Sequence, residues 1–219
     1  MAKFSRRKFL FATGWIAGGV TALYLLRNRA TAVAPTIIFP DAASGAAWLQ
    51  IRPDGNCRML FPRMDMGQNA NTGLAQIAAE ELNIQAHDIE GVVPSTNQVP
   101  PFAVTAGSMS LTAFSRPVAI AAATLREHLR ARAATKLNVP LSAVFDARGG
   151  FTTADQRTLG YADLVDQTDV MVDIDADQPL PKLYSFDSTR VKQQVGHNVS
   201  PLGIRGLVTG APVYSADVP

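Results

Sequence analysis

Apolar and polar residues alternate where the folded part of the chain begins, near Trp48, and this pattern predicts a β-hairpin. Residues 48–62 read WLQIRPDGNCRMLFP, with the turn sequence Pro-Asp-Gly-Asn between two apolar stretches. Proline, aspartate and glycine favour tight turns because they fix or permit the required backbone angles. Residues 88–94, DIEGVVP, have the composition of a further strand.

The spacing of apolar residues between these strands predicts a first helix. The positions that share one face at the helical period are Leu74, Ile77, Ala78 and Leu82. Thr72 lies just before them and is a favourable N-cap residue, so we expect the helix to begin there.

A second and longer helix is predicted over residues 118–137, after a small-residue loop at 104–117. Its apolar stripe consists of Val118, Ala122, Leu125, Leu129 and Ala133. The charged residues expected on its solvent side are Arg126, Glu127, Arg130 and Arg132.

Glycine residues in the later part of the chain predict the remaining elements of the fold. Gly149 and Gly150 predict the turn of a second hairpin, and a short helix is expected from about Gly160. Strands and helices in this order predict an α+β fold, in which helices pack on one face of a small mixed sheet.

The N-terminus has the pattern of an export signal. Arg6 and Arg7 precede Phe9 and Leu10, and an apolar run continues to Leu26. Paired arginines before a short apolar stretch are typical of the twin-arginine route. We therefore expect a signal at 1–34 and a linker at 35–47, and we expect the protein in the periplasm.

Cleavage of this leader is left open by the sequence. Small residues at Ala30, Ala32 and Ala34 offer cleavage patterns, but Pro35 follows the last of them. The apolar run is also about long enough to cross a bilayer. An uncleaved helix that anchors the protein in the inner membrane is therefore the alternative, and so is a basic N-terminus beside an ordinary membrane helix.

Composition limits the classes of partner. The chain has 219 residues, of which 47% are hydrophobic, and a net charge of +2. This suits one or two globular domains, and it favours no nucleic-acid partner because the basic excess lies in the leader. The basic residues of that leader are Lys3, Arg6, Arg7, Lys8, Arg27 and Arg29.

Catalytic or metal-binding residues are not predicted. The histidines His87, His128 and His197 fit no metal or triad spacing, and His128 is expected at the surface. The acidic run at 169–177 lacks the glycine and terminal glutamate of a calcium loop and is expected to be a solvated loop.

Two further residue types favour structural interpretations. Cys57 is the single cysteine, so it forms no internal disulfide and is expected as a small, half-buried strand residue. Glu80 and Glu81 are neighbours on a predicted helix, face different directions and are not expected to act as paired acids.

Two small polar loops precede the two helices. The first is Gly67-Gln68-Asn69 and the second runs from Gly107 through Ser108 to Ser110. Backbone N–H groups at a helix start lack partners and can hold a phosphate, so the two loops could grip one extended anionic ligand. Small residues at such positions are also ordinary caps and turns, and that alternative remains open.

Four segments together resemble one enzyme family. Residues 64–82, MDMGQNANTGLAQIAAEEL, resemble the Met-Gly-Gln-Gly segment of molybdenum hydroxylases, the xanthine dehydrogenase and aldehyde oxidoreductase superfamily. Residues 105–129 resemble its Thr-Gly-Gly-Ser-x-Ser loop and following helix, and residues 159–165 resemble its Leu-Ser-Tyr-Gly-Glu-Leu segment. Residues 207–218, LVTGAPVYSADV, resemble the first strand of its hammerhead domain. With the leader, their order resembles the branch of the isoquinoline 1-oxidoreductase beta subunit.

The resemblance implies a cofactor and the residues that contact it. The cofactor is molybdopterin cytosine dinucleotide with molybdenum, shared with a partner chain. The contacting residues that it implies are Gly67, Gln68, Asn69, Gly107, Ser108 and Ser110. Two positions depart from the family pattern, because Asn69 and Ala106 stand where the family has glycine. Asparagine tolerates a left-handed backbone, whereas alanine at a position with positive φ would be strained.

The resemblance also implies domain boundaries and partner chains. Residues 48–205 correspond to the cofactor-binding-like domain and 206–219 to the beginning of a hammerhead domain. We expect another chain to carry the rest of the large subunit with its catalytic glutamate. The other expected partners are a [2Fe-2S] iron–sulfur subunit, a cytochrome c subunit and the inner membrane.

Two functions therefore remain. The first is the N-terminal part of a molybdenum hydroxylase that oxidises aldehydes or N-heterocycles. The second is a membrane-tethered relic or assembly module that binds no cofactor.

Overall fold

Two long helices and two small sheets enclose the core of this protein. In the computed structural model, the described residues lie within one compact unit that spans Phe39–Pro219. They are 48–94, 105–166, 168–170, 172 and 179–211. The predicted leader and linker, residues 1–47, lie outside them.

The elements follow the order that the apolar pattern predicts. The strands are β1 (Leu49–Ile51), β2 (Cys57–Leu60), β3 (Ile89–Val92), β4 (Phe145–Ala147), β5 (Gly150–Thr152) and β6 (Thr158–Gly160). The helices are α1 (Ala70–Leu82), α2 (Met109–Leu137), α3 (Tyr161–Leu164) and α4 (Ile204–Val208). Single 3₁₀ turns lie at Ala86–Asp88 and Leu141–Ala143.

The first sheet is mixed, as predicted. β1 and β2 form the antiparallel hairpin, with Leu49 opposite Met59, and β3 pairs parallel to β2. Gly55 supplies the positive φ of the hairpin turn, at 81°.

The sequence predicts one sheet, but the described residues form two. β4, β5 and β6 make a separate antiparallel sheet of three strands around the turn at Gly149, whose φ is 63°. The hairpin at Gly149–Gly150 and the short helix after Gly160 are confirmed, and the α+β class holds.

Both long helices begin elsewhere than predicted. Thr72 is not the N-cap, because α1 already begins at Ala70 and the buried Thr72 hydroxyl accepts the N–H of Leu202 at 3.0 Å. α2 begins at Met109 rather than Val118 and continues through Pro117. A proline removes one intrahelical hydrogen bond, and the remaining bonds and buried face of this helix of 29 residues outweigh that loss.

The predicted apolar stripe of α2 is buried as expected, but one of its charged residues is not on the solvent side. Arg126 is completely buried, and its guanidinium lies 3.6 Å from the ring centroid of Tyr184. Its Nη1 donates to Glu81 Oε2 at 2.9 Å, and its Nη2 donates to the Lys182 carbonyl oxygen at 2.7 Å. These partners replace water, which is why the charge can lie in the core.

The two adjacent glutamates of α1 bind the chain segment 179–203, which we call the C-terminal strap. Glu80 Oε2 accepts the backbone N–H groups of three consecutive strap residues, Gln193, Gln194 and Val195. Glu81 accepts the N–H groups of Tyr184 at 2.9 Å and Ser185 at 2.8 Å, as well as the Ser185 hydroxyl. The carboxylates do face different directions, but both are buried and both hold the strap.

The same helix binds the strap along its length. Gln76 Nε2 donates to the carbonyl oxygens of Gln194 and His197, at 2.9 and 3.0 Å. Together with Thr72 and Glu80, Gln76 forms a polar stripe with a spacing of four residues, because side chains at that spacing share a helix face. The strap therefore runs along α1 in the opposite direction to the helix.

Some predictions fall on the ends of the described chain. A hammerhead strand is predicted over 207–218, but Leu207 and Val208 belong to α4, so the strand does not begin at Leu207. Residues 212–218 of that stretch lie outside the described residues. Within the described part, none of the helices has the length and apolar character needed to cross a membrane. Asp169 is exposed, and Asp173, Asp175 and Asp177 lie outside the described residues.

We expect removal of the Glu81 charge to destabilise the protein strongly. Glu81→Gln leaves Arg126 buried with its charge incompletely paired, a change that costs about 3 to 5 kcal/mol when one partner of a buried ion pair is removed. Glu127→Gln is the matched control, because Glu127 also pairs with Arg126 but its side chain is 38% exposed. The control should cost less than about 1 kcal/mol. Denaturant unfolding measures both values, and equal losses would show that the buried pair does not hold the fold.

The structure confirms Cys57 as a strand residue but buries it almost completely rather than by half, and we expect its thiol to be inert in the native state. Cys57 lies in β2 with only 1% of its surface exposed, and burial raises the pKa of the thiol to about 12. At about pH 8 the thiol therefore stays protonated, whereas an ordinary free cysteine reacts as the thiolate. Labelling with a thiol reagent should require denaturant, and rapid labelling of the folded protein would contradict this placement.

Candidate functional site

The fold brings the two predicted loops together at one end of the α1–α2 pair. The first loop extends over residues 64–69, and the second over residues 105–108, because Met109 and Ser110 of the predicted stretch already form the first turn of α2. The Met64 N–H donates to the Thr105 hydroxyl at 3.2 Å, which joins the loops directly. The helices also meet closely here, since a Cβ added at Gly73 would lie 2.9 Å from Leu111 Cδ2.

Arg63 lies beneath this junction. It is buried, with 5% of its surface exposed, and its guanidinium lies 4.8 Å from the ring centroid of Phe114. Its Nε donates to the Ser110 hydroxyl at 3.4 Å, so Ser110 is tied to the residue that precedes the first loop. Burial lowers the pKa of Arg63, but arginine remains charged at neutral pH.

The first loop is closed by its own side chains. Asp65 Oδ1 accepts the N–H groups of Gly67 at 3.0 Å and Asn69 at 3.2 Å. Asp65 Oδ2 accepts the N–H of Asn71 at 3.1 Å. These donors are those that an anionic ligand would use at the start of α1, and a carboxylate of the protein already occupies them.

The Gln68 side chain also bonds within the first loop. Its Oε1 accepts the Met66 N–H at 2.6 Å, and its Nε2 donates to the Met64 carbonyl oxygen at 3.0 Å. Both ends of the amide are therefore engaged, although the residue itself is exposed. A ligand contact from Gln68 would require the side chain to exchange one of these bonds.

The two helix starts share an unusual backbone geometry. The N-cap residues Asn69 and Ser108 are both left-handed, with φ values of 58° and 55°. N-cap residues are ordinarily extended, and positive φ is uncommon outside glycine, asparagine and aspartate. Asn69 stands where the family has glycine, and it adopts a left-handed conformation that asparagine tolerates. Ala106 is not among the described residues with positive φ, so the expected strain there does not arise.

The second loop remains open to an incoming ligand. Gly107 and Ser108 are exposed, and Ser108 makes no side-chain bond that caps α2. The Met109 N–H donates to the Ala106 carbonyl oxygen at 3.4 Å. The N–H groups that follow it in the first turn have no intrahelical acceptors, and the helix dipole places partial positive charge there. This helix start is therefore suited to an oxyanion.

Apolar side chains surround the two loops. Met64, Met66, Met109 and Leu111 are exposed by 56%, 62%, 39% and 43%. Methionine and leucine at a surface can pack against a flat organic group or against further polypeptide.

These arrangements fit a large organic phosphate ligand in part. Donors for a phosphate are available at the second loop, and the neighbouring apolar side chains suit a ring system. In the first loop the N–H groups of Met64, Met66, Gly67 and Asn69 already have acceptors within the protein, so a ligand there would find these donors occupied.

The histidines of the described residues do not form a common site. His87, His128 and His197 are exposed and separate. In the part of the chain that the structure describes, no group of three or more histidine, cysteine, aspartate or glutamate side chains could hold a metal ion.

Sequence reasoning missed Asp65 and Arg63. A signal for Asp65 was present, because aspartate two residues before a glycine often accepts hydrogen bonds from the backbone that follows it. For Arg63 no local signal existed, since its partners Ser110 and Phe114 belong to another helix.

Comparisons with known proteins agree on one family. A family profile described as a molybdopterin cofactor-binding domain matches residues 5–208. One of the subunits of nicotinate dehydrogenase from Pseudomonas putida is 28% identical over 173 residues, which cover 79% of this chain. The match spans only 14% of the length of that relative.

Two solved structures show weaker likeness. Reconstituted CO dehydrogenase from Oligotropha carboxidovorans is 26% identical with a TM-score of 0.48, covering 53% of this chain and 15% of that chain. Quinoline 2-oxidoreductase from Pseudomonas putida 86 is 22% identical with a TM-score of 0.45, covering 57% of this chain and 18% of that chain.

The family match covers most of the chain, including both long helices and both loops. The sequence resemblance is thereby confirmed: this chain belongs to the molybdopterin cofactor-binding domain family of molybdenum hydroxylase-type subunits.

Proposed function

We propose that this chain supplies part of the cofactor-holding surface of a molybdenum hydroxylase that oxidises an aldehyde or an N-heterocycle. The observation that carries the proposal is the pair of joined helix starts, one of which is open to an oxyanion. The cofactor form that fits an extended phosphate-bearing ligand is molybdopterin cytosine dinucleotide.

The residues of this chain would bind and orient the cofactor. Backbone N–H groups at the start of α2 and the Ser108 hydroxyl would hold phosphate or pterin oxygens. Gly107 allows the ligand to approach the backbone because it has no side chain. Ser110 would contribute indirectly, through the hydrogen bond that it accepts from the buried Arg63. When bound, the cofactor supplies the redox chemistry, and we assign no chemical step to a described residue.

Further polypeptide is part of this proposal. The chain corresponds to 14% of its nicotinate dehydrogenase relative, so most of such a protein lies outside the match. We propose that this other polypeptide carries the catalytic glutamate. A [2Fe-2S] subunit and a cytochrome c subunit would then receive the electrons.

The proposed location is the periplasm. The paired arginines Arg6 and Arg7 and the apolar run after them support twin-arginine export. Retention of that run would anchor the protein in the inner membrane.

One observation favours the alternative of a relic or assembly module that binds no cofactor. Asp65 and Gln68 engage the first loop internally, which leaves it fewer groups for a ligand. Bound molybdenum in the purified assembly separates the two functions, since the relic would contain none.

A single charge at the second loop tests the site. Gly107→Asp places a carboxylate where the cofactor oxyanion is proposed, and we expect molybdenum and pterin content to fall about tenfold, as a loss of about 1.4 kcal/mol would give. Aspartate tolerates the left-handed backbone at φ 64°, and its Cβ would meet Met109 Cγ at an ordinary 3.6 Å. Negative charge also favours a helix start, so the variant should fold.

Gly107→Asn is the matched control, because it adds the same bulk without the charge and so measures the loss that any side chain at this position causes. The aspartate variant should retain clearly less cofactor than the asparagine variant. Content is measured by metal analysis and pterin fluorescence on the full chain, purified with its partners from a host that makes the cofactor. If the aspartate variant retained as much molybdenum as the asparagine variant, the start of α2 would not be the oxyanion site.

A further inference from the structure

We propose that a cavity at the C-terminal end of α1 binds a neutral polar group in which a hydrogen-bond donor lies beside an acceptor, as in a primary amide. The inference goes beyond the proposed function and does not depend on it. The cavity has a volume of about 460 Å³, a size typical of small-molecule sites. It lies between the end of α1, the end of β4 and the C-terminal strap, at the opposite end of α1 from the first loop.

Three buried polar atoms of the residues that line this cavity have no hydrogen-bond partner among the described residues. They are Glu80 Oε1, Asn83 Nδ2 and Arg190 Nε. The other polar atoms of these side chains are engaged, since Glu80 Oε2 accepts N–H groups of the strap and Arg190 Nη2 donates to Asn83 Oδ1 at 2.7 Å. Buried polar atoms are nearly always paired, so three unpaired atoms at one cavity indicate a group that pairs with them.

Glu80 is the most deeply buried of the three residues. Its side chain has no exposed surface, and its Oε1 lies 3.8 Å from Arg190 Nε, which is too far for a hydrogen bond. The Arg190 guanidinium instead lies over the ring of Tyr184, 3.9 Å from the centroid. Because the Arg190 side chain is 29% exposed, a ligand reaches the carboxylate by displacing this side chain a short way.

The charges at the cavity favour a neutral ligand. A cation bound to Glu80 would lie close to Arg190, and an anion bound to Arg190 would lie close to Glu80, so either would meet a like charge. Arg148 also lines the cavity, but it is exposed to solvent, where its charge is hydrated. A primary amide matches all three atoms, because its N–H donates to Glu80 Oε1 and its oxygen accepts from Asn83 Nδ2 and Arg190 Nε.

The rest of the lining suits an apolar group attached to the amide. The Asp146 carboxylate is already paired, since it accepts Arg130 Nη2 and the Tyr184 hydroxyl, each at 2.6 Å. Ile84 and Ala147 add apolar surface to the cavity. Polar atoms that fix one end of a ligand, beside apolar walls for the other, are the usual arrangement of a small-molecule site.

Three probes of nearly the same shape test the class of ligand. Benzamide is neutral, benzoate is an anion and benzylamine is a cation at pH 7. Titration of the full chain, followed by saturation-transfer nuclear magnetic resonance, gives the affinity for each. We expect benzamide to bind about tenfold more tightly than either charged probe. Equal or tighter binding of benzoate or benzylamine would overturn the proposal.

Substitution of Asn83 tests the place of binding. Asn83→Asp removes the Nδ2 donor but keeps an oxygen for Arg190, and aspartate tolerates the φ of 51° at this position. We expect the affinity for benzamide to fall about tenfold, because an acceptor then faces the amide oxygen. Arg190→Lys removes the Nε donor while keeping the charge, so it should weaken binding too.

Asn138→Asp is the matched control, because Asn138 occupies the same position at the end of α2, with a φ of 53°, and is exposed. It should leave the affinity unchanged. If the Asn83 and Arg190 variants both bound benzamide as tightly as the natural protein, this cavity would not be the site.

Titration of the purified assembly identifies the source of the amide. Binding of benzamide to both the chain and the assembly indicates a free small molecule, whereas binding to the chain alone indicates that an asparagine or glutamine side chain of a partner fills the cavity. Either result supports the proposal, and absence of binding to both would overturn it. Because molybdenum content plays no part in these titrations, failure here leaves the proposed function untouched.

Discussion

The buried carboxylates of Glu80 and Glu81 are the interaction on which the described structure depends. The two residues are neighbours in the sequence of α1, and each carboxylate accepts backbone N–H groups from the C-terminal strap. Glu81 also forms an ion pair with the buried Arg126 of α2. Two charges without hydrogen bonds in this position would cost several kcal/mol each. With these hydrogen bonds formed, the two carboxylates hold α1, α2 and the strap together, although these segments are far apart in sequence.

The geometry of the candidate site follows from that unit. Because α1 and α2 are held against each other, their starts meet, and small residues such as Gly73 let them approach closely. Arg63 and the bond from Met64 to Thr105 then join the loops that precede the helices. The loops differ in kind, since Asp65 supplies an internal anion to the first, whereas the described residues of the second include no such group. This difference supports the proposal that the second loop, rather than the first, receives the anionic part of the ligand.

The sequence predicted the parts of this fold that depend on neighbours in the chain. The Pro-Asp-Gly-Asn turn, the turn at Gly149 and the apolar stripe of α2 are local patterns, and each is confirmed. The sequence predicts Arg126 at the surface because no local pattern shows that its partners are Glu81 and Lys182, 45 and 56 residues away. The start of α2 was misplaced because its first turns contain serine, threonine and proline, which favour loops unless burial of Phe114 outweighs them. The family resemblance points to the two loops, but the closure of the first loop by Asp65 follows only from the structure.

Hydrogen–deuterium exchange of the purified assembly, with and without its molybdenum cofactor, shows whether the open start of α2 holds the ligand. Peptides from residues 105–113 should exchange more slowly in the loaded protein, because a ligand oxygen then accepts those N–H groups. Peptides from the β1–β2 hairpin should not change. Equal exchange of residues 105–113 in both forms would contradict the proposed site, since the cofactor would then be bound without the start of this helix.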